Sequence, residues 1–267
     1  MKITTLIENL VYINGLYAEH GLSFLIDTGT EKILFDTGQT DAFMHNARKL
    51  GIDIADIDKV VISHGHYDHT GGLYSFLQEN TKARVFIKKE AFTPKYKEEN
   101  SQIGITYDPM LLDGRIEYVE RTIEIAGGIF ILPSIPLSNP ADTNFNHFKI
   151  RAHNRFVNDT FEDELFVVIR HNNKISIISS CSHRGITNIC NEAIKQFNLP
   201  VQLILGGFHL KGSTDIHQYN SIKQYFEKIV PDSIGVCHCT GVEKFADLLT
   251  TCSSQVFYNS TGNQIIL

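Results

Sequence analysis

The stretch Ser63-His64-Gly65-His66-Tyr67-Asp68-His69-Thr70-Gly71-Gly72-Leu73 places four potential metal ligands within six residues. It directly follows the run KVVIS at 59–63, which is β-branched without polar alternation and predicts a short buried strand. Imidazole and carboxylate groups bind Zn²⁺, Fe and Mn, and a turn after a buried strand lets them converge on one cavity. The glycines permit tight backbone turns. The stretch therefore predicts a metal site rather than a histidine-rich surface loop.

Strands and helices are predicted to alternate on both sides of this stretch. Before it, apolar runs at 22–27 and 32–36 form a hairpin, and a helix covers 40–50. After it, a helix begins near Gly71-Gly72 and a strand covers 84–87. In the last third, strands are predicted at 166–170, 174–179, 201–206, 233–237 and 255–258, with helices at 186–197, 215–229 and 242–250.

Residues 89–160 are less regular, being polar, aromatic and rich in proline. They predict a helix over 90–99, two strands within 115–132 and a long loop over 133–160. The alternation of strands and helices in both halves predicts the α/β class, as a four-layer αββα sandwich. At 267 residues, we expect a single domain, 1–267.

The histidine-rich stretch resembles the signature of the metallo-β-lactamase superfamily, and Phe35-Asp36-Thr37-Gly38 matches that superfamily's upstream aspartate element. The resemblance extends over nearly the whole chain except 89–160. Further segments resemble the branch named after a methanopterin-pathway synthase, which joins para-aminobenzoate to phosphoribosyl pyrophosphate. The segments that indicate this branch are Glu19-His20-Gly21-Leu22-Ser23, Ser180-Cys181-Ser182-His183-Arg184-Gly185-Ile186, Gly206-Gly207-Phe208-His209-Leu210 and Cys237-His238-Cys239-Thr240-Gly241.

This resemblance implies the metallo-β-lactamase fold with a site for two metals. His64 and His66 would hold metal 1. Asp68 and His69 would hold metal 2, and Asp68 is also assigned a catalytic role. The final ligand of metal 2 would be His238, at the end of a predicted strand. Asp36 is expected to hydrogen-bond the histidine-rich stretch rather than bind metal.

The third ligand of metal 1 is less directly indicated. The superfamily usually supplies a third histidine and then an aspartate that bridges both metals, but the expected aspartate falls near Cys181 or Ser182. We assign His183 as a ligand, to metal 1 or between the metals, with His147 or His153 as alternatives. Without a bridging carboxylate, occupancy by one metal stays open alongside two.

Other residues are assigned to the substrate. His209 follows the strand 201–206 and is predicted to be a general acid or a substrate contact, and His20 a further substrate contact. Arg184 is preferred for holding a phosphate or carboxylate. Basic side chains in and around 88–97 are the alternative, although a solvated helix face explains them equally well: Lys88, Lys89, Lys95 and Lys97.

The composition limits partners and location. A net charge of −6 excludes a broadly basic surface, so we expect neither nucleic acid nor anionic lipid as a partner. No apolar run approaches the roughly 20 residues that span a bilayer. Five scattered cysteines predict reduced thiols and a cytoplasmic protein. Cys237 and Cys239 are expected to fill small apolar volumes beside His238.

These features predict a metal-dependent hydrolase or phosphoribosyl-type transferase that acts on a small anionic molecule. Its cofactor would be one or two divalent ions, Zn²⁺ first, with Mn or Fe as alternatives. Two other functions are compatible with the same residues: an iron-binding redox protein, and a metal-dependent binding protein without hydrolytic activity.

Overall fold

The computed structural model describes residues 1–152, 155–212 and 215–267. These residues fall into two compact units. Unit 1 comprises Met1–Glu120, Asn146–Asp163 and Ser260–Leu267, and unit 2 comprises Arg121–Phe145 and Glu164–Asn259. Each unit has its own sheet, and the expectation of a single domain over 1–267 stays a prediction.

The elements are numbered in chain order. The strands are β1 (Lys2–Ile7), β2 (Ser23–Asp27), β3 (Lys32–Phe35), β4 (Lys59–Val61), β5 (Arg84–Ile87), β6 (Lys95–Lys97), β7 (Ser101–Gln102), β8 (Ile116–Tyr118), β9 (Ile123–Ala126), β10 (Ile129–Leu132), β11 (Phe148–Ala152), β12 (Arg155–Asn158), β13 (Phe166–His171), β14 (Lys174–Ile178), β15 (Val201–Gly206), β16 (Ser233–Val236), β17 (Gln255–Tyr258) and β18 (Gln264–Ile266). The α-helices are α1 (Ala42–Lys49), α2 (Tyr67–Thr70), α3 (Leu73–Glu79), α4 (Pro109–Leu112), α5 (Ile186–Phe197), α6 (Ile216–Ile229) and α7 (Val242–Thr251). Short 3₁₀ helices lie at Ile54–Asp56, Lys89–Phe92, Pro140–Asp142 and His238–Thr240.

Unit 1 is built on a sheet with the strand order β18-β1-β2-β3-β4-β5-β8. Neighbouring strands are antiparallel from β18 to β3 and parallel from β3 to β8. Apolar side chains of α1 and α3, including Phe43 and Phe76, pack with strand residues in one buried core. A smaller antiparallel sheet has the order β12-β11-β6-β7. The histidine-rich stretch follows the carboxyl end of β4, one of the parallel strands.

Unit 2 has a sheet of similar construction, with the strand order β17-β16-β15-β14-β13-β10-β9. Its strands are parallel from β17 to β14 and antiparallel from β14 to β9. Helices α5, α6 and α7 pack on it through apolar residues such as Ile189, Phe226 and Leu248. The carboxyl ends of adjacent parallel strands lie at the same edge of a sheet, so the segments after β14, β15 and β16 are brought together.

Most predicted elements outside 89–160 are present with bounds shifted by one or two residues. The helix predicted over 90–99 is wrong. A 3₁₀ turn at Lys89–Phe92 is followed by β6, which pairs with β11. Pro94 disfavours a helical conformation at Thr93, and this separates the turn from the strand.

The long loop predicted over 133–160 is also wrong. It contains a 3₁₀ turn at Pro140–Asp142 and the antiparallel strands β11 and β12. Region 115–132 holds β8, β9 and β10 instead of two strands. β6 pairs with β11 across a long stretch of sequence, so local periodicity does not reveal this pairing.

Candidate functional site

The histidine loop, residues 63–72, is held from both sides within unit 1. The backbone N–H of Gly65 donates to Asp163 Oδ2 at 2.8 Å, and its carbonyl accepts from the N–H of Ile105 at 3.0 Å. A Cβ at Gly65 would lie 2.1 Å from the carbonyl oxygen of Ala91. No larger residue fits there without moving the backbone, so the glycine lets the loop lie close to its neighbours.

The donor side chains of the histidine loop are buried and adjacent. The ring of His64 lies 4.7 Å from that of His66 and 4.4 Å from that of His69, centroid to centroid. His69 Nε2 is 3.5 Å from Asp68 Oδ2. All four side chains are buried. Three imidazoles and a carboxylate at such distances form a donor set that suits Zn²⁺, Fe or Mn.

Asp36 fixes the orientation of this set, as predicted. It follows β3 in a left-handed conformation, φ 58°, and its Oδ1 accepts from the backbone N–H of Ser63 at 2.7 Å. Its Oδ2 accepts from Ser63 Oγ at 2.7 Å and lies 2.9 Å from His69 Nδ1. Ser63 Oγ in turn lies 2.9 Å from His64 Nδ1. Because these contacts engage Nδ1, they assign Nε2 of His64 and His69 as the nitrogens that would bind a metal.

The charges around the loop also fit a cation. Burial, reinforced by the neighbouring His69 and His66, holds the pKa of His64 well below its ordinary value, so its imidazole is neutral as a ligand must be. Burial also disfavours a charged His69, but Asp68 and the hydrogen bond to Asp36 outweigh it and raise the pKa of His69 to about 10. The carboxylates of Asp68 and Asp36 therefore favour a positive charge at this position.

A buried ion cluster, which sequence reasoning missed, supports the histidine loop. Lys95 Nζ donates to Asp159 Oδ2 at 2.6 Å and to Asp163 Oδ1 at 2.9 Å, and Lys95 is only 2% exposed. Asp163 also accepts from Gly65, and Lys95 Nζ lies 5.3 Å from the ring of Phe161. Burial acts to lower the pKa of Lys95, but the two carboxylates raise it by a larger amount. The net shift is upward, so Lys95 stays charged.

The predicted role of Lys95 in substrate binding therefore has to be corrected. Its ammonium group is committed to two internal carboxylates, because β6 places it inside unit 1 instead of on a solvated helix. Lys89 and Lys97 are exposed. Lys89 lines an open groove of about 560 Å³ with other residues of unit 1: Glu90, Phe92, Thr93, Tyr107 and Tyr118.

His20, the predicted substrate contact of unit 1, lies beside the histidine loop. Its Nε2 is 3.4 Å from Asp68 Oδ2, and its Nδ1 is 3.5 Å from Asn9 Nδ2. The side chain of His20 is about half exposed, whereas that of Asp68 is largely buried. His20 thus stands between the donor set and solvent, where a substrate contact is needed.

The strand-end loops of unit 2, residues 180–185, 206–210 and 237–241, follow β14, β15 and β16. Each contains one non-glycine residue in the left-handed region: Ser182 with φ 56°, His209 with φ 51° and His238 with φ 50°. Such conformations disfavour ordinary side chains and collect at sites where function requires them. His183 and His238 are buried, and His209 is partly exposed.

Two predicted site residues of unit 2, His183 and His209, lie side by side with ring centroids 4.5 Å apart. His183 Nδ1 lies 3.3 Å from the carbonyl oxygen of Asn144. Glu164, which sequence reasoning missed, accepts from the backbone N–H groups of His183 and Arg184, both at 2.7 Å. This buried carboxylate therefore fixes the loop after β14. Glu164 lies 19 residues before His183 in the sequence, so no local sequence pattern indicated this contact.

The remaining candidates are placed as follows. Arg184 Nε donates to the carbonyl of Ile135 at 3.0 Å, so this part of the guanidinium group is engaged within unit 2. His147, an alternative metal ligand, is exposed, and its Nδ1 lies 2.5 Å from Glu98 Oε1. His153, the other alternative, lies outside the described residues. The predicted ligands are thus divided between the units: His64, His66, Asp68 and His69 in unit 1, and His183 and His238 in unit 2.

Comparisons with known proteins identify the family of this chain. The family model described as the metallo-beta-lactamase superfamily matches residues 16–149. An uncharacterized protein of Methanocaldococcus jannaschii is 31% identical, covering 92% of this chain and 93% of its own. A second protein of that organism, 7,8-dihydropterin-6-methyl-4-(beta-D-ribofuranosyl)-aminobenzene-5'-phosphate synthase, is 31% identical, covering 90% of this chain and 88% of its own.

Two solved structures are also similar to this chain. The crystal structure of Tm1679, described as a metal-dependent hydrolase of the beta-lactamase superfamily, matches with a TM-score of 0.89 and 34% identity over 100% of this chain and 99% of that one. The metallo-beta-lactamase fold protein YhfI from Bacillus subtilis matches with a TM-score of 0.55 and 13% identity, over 99% and 98% of the two chains. The chain belongs to the metallo-β-lactamase superfamily. Within it, the chain is similar to the methanopterin-pathway synthase and to Tm1679.

These findings confirm the predicted fold class and the predicted branch of the superfamily. The family and the buried donor residues together support the binding of a divalent metal. Among the described residues, no helix has the length and apolar character needed to cross a membrane.

Proposed function

We propose that this protein is a metal-dependent enzyme that hydrolyses, or transfers a phosphoribosyl-type group from, a small anionic molecule. The observation that carries the proposal is the buried donor set of the histidine loop, oriented by Asp36 and supported by Lys95 through Asp163. The proposed metal ligands are those predicted from the sequence: His64, His66, Asp68, His69, His183 and His238. A divalent ion, Zn²⁺ first, would supply a Lewis acid that activates water or holds a phosphate.

The residues of the chain have separate tasks in this proposal. Asp68 contributes negative charge beside His69, and His20 contacts Asp68 from the solvent side. His209, next to His183, would donate a proton to the leaving group. Arg184 would hold an anionic part of the substrate. Both chemistries have precedents among the similar proteins, one being described as a hydrolase and one as a synthase.

The first experiment measures metal and activity on the same preparation. Protein purified without added metal is analysed for Zn, Mn and Fe. It is then assayed with each ion supplied separately against phosphodiesters, phosphomonoesters, lactones and thioesters, and against a phosphoribosyl donor with an aminobenzoate acceptor. We expect one substrate class to be turned over, with activity following the bound metal. Below about 0.2 metal per chain with no turnover, the enzyme proposal fails, because convergent ligands should retain metal.

The same experiment separates the alternatives. An iron content near one per chain with oxygen-dependent chemistry and no hydrolysis would favour the redox function. Stoichiometric metal with no turnover of any substrate would favour a binding protein. His209→Gln should lower turnover with Mn²⁺ while leaving the bound Mn unchanged, since His209 acts here on the substrate. An equal loss of bound Mn would contradict that assignment.

A further inference from the structure

We infer that unit 2 contains a separate binding site for a thiophilic metal ion, formed by Cys181, His209 and Cys239. The Sγ atoms of both cysteines and one ring nitrogen of His209 all lie within 4.8 Å of one another. The three residues come from the three strand-end loops, far apart in sequence. The inference does not rest on the function proposed above, although the two share His209.

The spacing suits a metal ion with small adjustments. Metal–sulfur bonds of about 2.3 Å in a tetrahedral zinc site place two sulfurs about 3.8 Å apart. The three donor atoms would therefore move by at most about 1 Å to reach that separation, which side-chain rotation provides. Both cysteines are buried, so thiolates formed there would be shielded from solvent.

The surrounding backbone donates a hydrogen bond to the sulfur of Cys239 and leaves space for it. The N–H of His209 donates to Cys239 Sγ at 3.2 Å, and hydrogen bonds of this kind favour a thiolate. A Cβ at Gly207 would lie 2.5 Å from the same sulfur, so the glycine leaves the space that Cys239 occupies. Cys239 Sγ also lies 3.6 Å from the carbonyl oxygen of Cys181, which links the two loops directly.

The donor chemistry selects the ion. Two thiolates and an imidazole prefer Zn²⁺, Cd²⁺ or Cu⁺ to Mg²⁺ or Mn²⁺, whereas the carboxylate and imidazole groups of the histidine loop also suit harder ions. Cys190 provides a natural contrast, because it is equally buried but packs among apolar residues in the core of unit 2.

The test is a titration of reduced, metal-free protein with Cd²⁺, followed by the ultraviolet charge-transfer band of thiolate–cadmium bonds. We expect a band in the unmodified protein, and its loss by half or more in Cys181→Ser and in Cys239→Ser. His209→Gln should weaken Cd²⁺ binding by at least about tenfold, since even outer partners of metal ligands typically contribute that much. Cys190→Ala is the matched control and should keep the full band.

Further variants separate this site from the proposed function. His64→Ala should keep the band, because that residue supplies no sulfur. A band that is absent in the unmodified protein, or unchanged in Cys239→Ser, would overturn the inference, even if Cys181→Ser removed it. Circular dichroism and thermal unfolding without metal check that each variant folds. For a variant that does not fold, cadmium NMR of the unmodified protein decides: two sulfur ligands support the site, and one or none overturns it.

Discussion

The histidine loop of unit 1 and the strand-end loops of unit 2 position their donor side chains in different ways. In unit 1, four donor residues lie on one continuous segment, and buried charges position them: Asp36 on one side, and Asp163 with Lys95 on the other. In unit 2, the donor residues come from three separate loops, each with a residue in a left-handed conformation. Unit 1 positions its donors mainly by buried charges, and unit 2 mainly by backbone conformation.

This difference determines which substitutions should be severe. Removing a charge in unit 1 leaves another charge buried and unbalanced, which is costly. In unit 2, the loop after β14 is held by hydrogen bonds that Glu164 accepts, and all three loops depend on local conformation, so single side-chain losses should mainly change what the loops bind. Substitutions in the two units test this contrast.

The largest effect is expected for His64→Ala and Asp68→Ala in the histidine loop. Each removes a donor from the buried set, so turnover should fall to background, and metal affinity should fall on the order of 100-fold or more. The melting temperature of the metal-free protein should change little for His64→Ala, because the buried His64 is neutral. Metal analysis and the assay established by the substrate screen measure both quantities. Normal turnover by either variant would remove the proposed site.

The corresponding substitution in unit 2 is His183→Ala. We expect metal content to fall, because His183 is buried beside His209 with Nδ1 facing the carbonyl of Asn144. His147→Ala is the matched control, since His147 is exposed and faces Glu98. If His183→Ala left the metal unchanged and His147→Ala lowered it, the assignment of the third histidine would have to be reversed.

The buried charges of unit 1 can be tested through Lys95→Met. Removal of the ammonium group leaves Asp159 and Asp163 buried together, so the free energy of unfolding should fall by about 3–5 kcal/mol. Chemical denaturation of the metal-free protein measures it. Lys97→Met, on the same strand but exposed, should change it by less than about 0.5 kcal/mol. A small loss for Lys95→Met would show that the ion cluster does not stabilise unit 1.

Unit 2 contains a buried acid without such an ion pair, and its stability should therefore depend on pH. Burial raises the pKa of Asp142 to about 7, although hydrogen bonds from Thr187 act in the opposite direction. The folded protein thus keeps a proton that the unfolded chain releases above pH 3.8. This contribution is complete below pH 3.8 and is lost as the pH rises towards 7, by up to about 4 kcal/mol.

Asp142→Asn isolates that contribution, because the amide oxygen can still accept from Thr187 but does not titrate in this range. The difference in unfolding free energy between Asp142→Asn and the unmodified protein should grow in favour of the variant from pH 4 to pH 7.5. Denaturant unfolding at several pH values measures this difference. A difference independent of pH would show that Asp142 is ionised throughout.

The contrast between the units also explains what the sequence could predict. The histidine loop is local, so the residue types and spacing of His64 to His69 indicated both its position after β4 and its chemistry. The role of Asp36 was predictable because its element lies one strand earlier. The partners of Lys95 lie 64 and 68 residues away, beyond the range of periodicity, and β6 was therefore mistaken for a helix. The grouping of Cys181, His209 and Cys239 depends on the parallel order of β14, β15 and β16, which spacing along the chain does not reveal.

The left-handed residues Ser182, His209 and His238 have a consequence for directed evolution. Each holds a conformation that glycine adopts more easily, at a cost of about 1–3 kcal/mol to the fold. A library screened for heat resistance alone should therefore enrich glycine at these positions and lose the donor side chains of His209 and His238. Enrichment at these positions under that selection, and depletion under selection for activity, would map the working part of unit 2 before any substrate is known.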